Sequence, residues 1–149
     1  MKTKLLFTVI LLLSFKTYSQ IKYEKGYFIN NNDEKTICLI KNVGWKDSPT
    51  KFYYKLSEDL ESKSATIDSI KEFGIINSIK YIRSIVNIDR SDKEINNLSY
   101  NREPEFNKEQ LFLKQLITGK ATLYSYEDSN LTRYFFSNGN SIIEQLIYK

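Results

Sequence analysis

From Gly26 onward, short runs of β-branched and aromatic residues alternate with clusters of Asn, Asp, Ser and Gly, a pattern that predicts strands and turns. Residues 27–29 and 36–40 flank Asn30-Asn31-Asn32-Asp33, which tolerate turn conformations and hydrogen-bond their own backbone, so a hairpin is expected there. In its second strand Ile37, Leu39 and Lys41 point one way and Thr36, Cys38 and Ile40 the other. Residues 43–50, with Gly44, Asp47, Ser48 and Pro49, read as a loop around Trp45. Residues 52–56 read as a short aromatic strand. The polar residues 57–64 have room for one helical turn capped by Ser57, and residues 65–76 read as strand, turn, strand.

Residues 81–88 carry apolar groups on both alternating faces, the mark of a central strand. Residues 89–108 form the longest polar stretch, and Pro104 excludes a continuous helix or inner strand there. A surface segment tethered by Ile95, Leu98, Tyr100 and Phe106 is expected. Four further runs follow, at residues 111–118, 121–126, 131–136 and 142–148, joined by turn-like Gly119-Lys120, Asp128-Ser129-Asn130 and Asn138-Gly139-Asn140. The expected fold class is mainly β: a small antiparallel sheet, sandwich or roll with one long polar loop and at most short helices.

The beginning of the chain has a different pattern. Lys2 and Lys4 precede an apolar run over residues 5–15, and Thr17 and Ser19 set small residues before a cleavage point. This is the layout of a secretory signal peptide; a membrane-spanning helix needs about 20 apolar residues. Residues 1–19 are therefore expected to be removed. Residues 20–149 would then form one β-rich domain in the periplasm or at the cell surface, with no transmembrane segment and no lipid-bearing cysteine at its start.

Removing the leader changes the charge. The whole chain has 22 Lys+Arg and 18 Asp+Glu, but Lys2, Lys4 and Lys16 belong to the leader, which leaves 19 cations against 18 anions. An interspersed, near-neutral balance argues against nucleic-acid binding, which concentrates positive charge. The chain has no histidine and one cysteine, Cys38. That excludes histidine catalysis, zinc sites of the Cys/His kind and an internal disulfide. Gly119-Lys120 lacks the rest of a phosphate loop, since Lys114 stands where a glycine is required and Ala121 where Ser or Thr is. A GTPase activity is thus unsupported, and no cofactor or metal is expected.

Two candidate chemistries remain. Acidic clusters at Glu58-Asp59-Glu61, Asp89-Asp92-Glu94, Glu103-Glu105 and Glu127-Asp128 offer paired carboxylates of the kind that hydrolyse glycosides. Each falls in an expected loop, where acids are ordinary solvated residues, and no catalytic residue is assigned. Asp89, Ser91 and Lys93 break the alternation that a calcium loop needs. The aromatic residues suggest ligand binding instead. Tyr124, Tyr126 and Tyr134 could meet across a hairpin with Arg133 beside them, and Trp45 sits on its loop. The bland reading of the same tyrosines is cross-strand packing. Cys38, among Ile37, Leu39 and Ile40, reads as a small buried hydrophobe.

Several segments resemble an uncharacterised family of exported flavobacterial envelope proteins. They are KGYFIN at Lys25, CLIKN at Cys38 followed by Trp45, EFGI at Glu72, YIR and VNIDRS from Tyr81, FLK at Phe112, GKATLYSYE at Gly119 and QLIYK at the end. The resemblance runs through nearly the whole of residues 20–149. In that family the domain often precedes a predicted outer-membrane β-barrel, for which a chain ending at Lys149 leaves no room. It implies an envelope-associated binding or interaction module whose partner is an envelope protein or a glycan. The alternative is a small envelope hydrolase using loop carboxylates.

Overall fold

The computed structural model describes residues 22–91, 104–129, 131–139 and 142–147. The expected leader, the tethers Ile95, Leu98 and Tyr100, and Tyr148 lie outside these residues. Every regular element described is a strand: β1 Tyr23–Asn30, β2 Lys35–Lys41, β3 Lys51–Lys55, β4 Lys63–Thr66, β5 Ile70–Ile75, β6 Ile79–Asp89, β7 Phe106–Ile117, β8 Ala121–Asp128, β9 Leu131–Asn138 and β10 Glu144–Gln145. They form one antiparallel sheet in the order β10-β9-β8-β7-β6-β5-β1-β2-β3-β4. The expected hairpin is β1–β2. Asn30 closes it by accepting the N–H groups of Asn32 and Glu34 at 2.9 and 3.0 Å. The helical turn allowed at residues 57–64 is absent. Leu60 N–H bonds Ser57 O at 3.3 Å in an isolated turn, because the polar side chains there have no apolar stripe to bury.

Chain connectivity forces the sheet to curl. β4 and β5 stand four places apart, about 19 Å on a flat sheet, yet four residue steps from Thr66 to Ile70 reach only about 14 Å. The strands from β5 through β1, β2 and β3 to β4 must therefore roll. Gly26 permits a close approach in this roll, since a Cβ there would lie 2.4 Å from the carbonyl oxygen of Gly74. At the other end β6 and β10 are also four places apart, and Asp89 N–H reaches Gln145 Oε1 at 2.7 Å.

The two rolls curl toward opposite faces. Neighbouring residues on a strand point to opposite sides. On β6, Tyr81 joins one core while Ile82, Val86 and Ile88 join the other; on β7, Phe112 joins the first and Leu111 and Leu113 the second. The amino-terminal core contains Phe28, Cys38, Ile40, Phe52, Phe73, Tyr81 and Phe112. The carboxy-terminal core contains Val86, Ile88, Leu111, Leu113, Tyr124, Tyr126 and Phe135. The strand expected to be central, now β6, is the one both cores share. Cys38 is buried as expected, and burial raises its thiol pKa to about 11.

Where the rolls diverge, β7 leaves β8 and the Trp45 loop takes its place. Ser48 N–H donates to Glu127 O at 2.7 Å, Ser48 Oγ accepts from Glu127 N–H at 3.1 Å, and Asp47 Oδ1 accepts from Ser129 N–H at 2.8 Å. The loop thereby sets Trp45 edge-on against Phe73 and Tyr81, with ring centroids 5.8 and 5.9 Å apart.

Candidate binding face and cleft

Of the five aromatic and basic residues expected at a site, Tyr124, Tyr126 and Arg133 share one face of the carboxy-terminal roll, while Trp45 and Tyr134 lie elsewhere. Trp45 packs on the amino-terminal core. Tyr124 lies inside the carboxy-terminal core with its hydroxyl 3.2 Å from Ser137 Oγ. Tyr126 and Arg133 are direct cross-strand partners on one face. Tyr134 pairs with Ser125 and so lies on the opposite face, half exposed. Strand parity prevents the expected cluster of three tyrosines.

Tyr126 and Arg133 instead belong to a charged network at the mouth of the carboxy-terminal roll. Arg90 holds Glu109 with two bonds of 2.9 and 2.6 Å and reaches Asp128 at 3.1 Å, its guanidinium 5.2 Å from the Tyr126 ring centroid. Arg133 donates to Asp89 O at 2.8 Å, Asp89 Oδ2 at 3.1 Å and Ser91 O at 3.2 Å. Asp89 also accepts from Ser91 Oγ, Ser91 N–H and Glu105 N–H. Burial raises the Asp89 pKa, but these hydrogen bonds and the Arg133 charge outweigh it and hold the carboxyl below its ordinary range. The hydrogen bond from Arg90 holds Glu109 low against a smaller burial effect. The network joins β6, β7, β8 and β9, and its arginines and carboxylates already satisfy one another.

A second charged surface went unseen in the sequence. The register places Lys25 on β1, Lys35 and Lys41 on β2, Lys51 and Lys55 on β3 and Lys80 on β6 on the outer face of the amino-terminal roll. Glu72 is the only strand carboxylate there, bonded to Lys80 at 2.9 Å and to the Tyr27 hydroxyl at 2.6 Å. Burial and this carboxylate push the Tyr27 phenol above its ordinary range. The other acids of this half lie in turns and loops, at Asp33-Glu34, Asp47, Glu58-Asp59-Glu61 and Asp68, and at Glu24 on the opposite parity of β1. The even mixing expected from composition is thus replaced by a sorted surface. Ammonium groups lie over the tyrosine rings: Lys35 over Tyr27 at 4.1 Å, Lys55 over Tyr23 at 5.1 Å, and Lys41 and Lys51 over Tyr53 at 5.4 and 5.8 Å.

Because the second roll curls toward this same side, the end of β7 rises beside the basic face and forms a cleft of about 720 Å³. Tyr27, Lys35, Ile37, Ile76 and Lys80 line one wall and Gln115, Leu116 and Thr118 the other. Its volume falls within the range of ligand sites. A sequence signal did exist: lysines recur on β1, β2 and β3 at the parity opposite to Phe28, Cys38, Ile40 and Phe52. Register was needed to bring them together.

The fold and face define an all-β chain with a basic, tyrosine-bearing surface. No known family model, curated protein or solved structure matches this chain. Among the described residues no helix is long and apolar enough to cross a membrane, and no cluster of three or more acidic or cysteine side chains is placed to hold a metal ion.

Proposed function

We propose that the chain is an exported binding module of the cell envelope that works in the periplasm or at the cell surface through the outer face of its amino-terminal roll. The observation that carries this reading is the sorting of six lysines onto one face with a single strand carboxylate, beside an open cleft. None of these lysines faces another across the register, but one strand carboxylate cannot balance six cations, and a ligand of opposite charge would offset the excess. The leader pattern and the resemblance to exported envelope proteins supply the compartment. The loop-carboxylate hydrolase gains less support. A general acid requires a raised pKa, whereas Asp89, from one of the candidate acidic clusters, is held low by its hydrogen bonds and Arg133.

The compartment is tested by mass. Met1 is the only methionine, so native protein cut after Ser19 contains none; a cell-associated form retaining Met1 would remove the export claim. The face is tested by co-sedimentation with isolated envelopes. Joint Lys35→Gln, Lys41→Gln and Lys51→Gln substitution should release the protein, while Asp89→Asn should leave it bound.

A further inference from the structure

We infer that the occupant of this face is a chain-like acidic polysaccharide, laid from the cleft across the lysine rows; the inference rests on the face being the binding surface. Charge complementarity sets the class. Lys35 and Lys41 stand six positions apart on β2, about 20 Å, Lys51 and Lys55 four apart on β3, about 14 Å, and neighbouring strands about 4.8 Å apart. The cations are thus spread over a length that one small anion cannot span and a polymer with repeating anionic groups can.

Geometry separates this polymer from the other polyanions. Single-stranded nucleic acid draws affinity from bases stacked on open aromatic faces. Here the rings of Tyr23, Tyr27 and Tyr53 already carry ammonium groups. A bilayer offers a broad flat surface, whereas the β7 wall stands up from this face and makes a concave corner. A single flexible chain enters that corner. Inside it Gln115, Thr118, Asn77 and Ser78 supply the donors and acceptors that sugar hydroxyls need, and Ile37 and Leu116 supply apolar surface for the C–H faces of the rings.

Purified native protein is titrated with alginate, a polyuronate, and in parallel with neutral dextran, vesicles of equimolar phosphatidylcholine and phosphatidylglycerol, and oligothymidylate, at one salt concentration. Alginate should bind tightest, dextran should not bind, and added salt should weaken the complex. The Lys35→Gln, Lys41→Gln, Lys51→Gln variant should bind alginate about tenfold more weakly, each exposed charge contributing a fraction of a kcal/mol, with an unchanged circular dichroism spectrum. Lys108→Gln, on β7 at the parity of the opposite face, should bind as the wild type does. Tighter binding to the vesicles or the oligonucleotide, or no binding to alginate, overturns the polysaccharide while the envelope test still judges the face. Alginate binding unchanged in the triple variant removes the face itself.

Discussion

The two rolls bury their cores by different means. In the amino-terminal roll the centre is a stack of rings. Phe73 lies parallel to Phe52 at 4.1 Å and to Tyr81 at 5.0 Å, and meets Phe112 edge-on at 5.1 Å. The short covalent link from β4 to β5 closes it. The carboxy-terminal roll has a mainly aliphatic centre, with the Tyr124 and Tyr126 hydroxyls turned to polar partners, and closes through Asp89, Arg90, Glu109 and Arg133. The first closure depends on chain length and shape; the second depends on ionisation. Acid should therefore weaken the second closure and leave the first intact, and because the halves share β6 and β7 the whole chain should lose stability with it.

The strongest way to break the comparison is to hollow each core in turn. Phe73→Ala should cost about 4 kcal/mol and Leu113→Ala about 3 kcal/mol, since both side chains are fully buried. Urea unfolding followed by Trp45 fluorescence reports the first roll, and far-ultraviolet circular dichroism reports both. The two signals should coincide in each variant, because neither core survives loss of the shared strands. Separate transitions would show two independent units.

Arg133→Met attacks only the polar closure. It leaves Asp89, whose side chain is 15% exposed, without its charged partner, and about 3 kcal/mol should be lost in urea unfolding. The acid response follows from the same groups. The ordinary carboxyl values of 3.8 and 4.5 for Asp89 and Glu109 are both lowered on folding. The unfolded chain thus binds protons first as pH falls, so their stabilisation is present above about pH 4.5 and is lost as pH drops through the lowered values. Thermal melting between neutral pH and acid should show this decline. A variant carrying Arg133→Met with Glu109→Gln should show a shallower one, and an equal decline would place the acid-sensitive groups elsewhere. The smallest effect is expected from Tyr124→Phe, which removes the bond to Ser137 for about 1 kcal/mol in urea unfolding.

The strands were legible because alternation is a local property. Parity alone separated Cys38 and Ile40 from Ile37 and Leu39 on β2, and folding buries the first pair. The two apolar faces of residues 81–88 could be seen to need cover, but not that the covers are two separate cores. That distinction comes from pairing between residues far apart in the chain, as when Arg133 meets Asp89 across 44 positions. The expected meeting of three tyrosines failed for a related reason. Tyr124, Tyr126 and Tyr134 are close in sequence, yet Tyr134 sits across from Ser125, so their separation in space follows from register. The lysine face lay hidden because composition averages over a surface that folding sorts.

The shared ladder between β6 and β7 also checks its own alignment. A slip of one residue along either strand turns every side chain of that strand over. In most sheets such an error exposes one buried row to water. Here it would also carry Phe112 toward the aliphatic core and Leu111 and Leu113 toward the stacked rings, so both cores would reject the same mistake. An error in one alignment is thus penalised twice. The strands that join the halves are proofread from both sides as the chain folds.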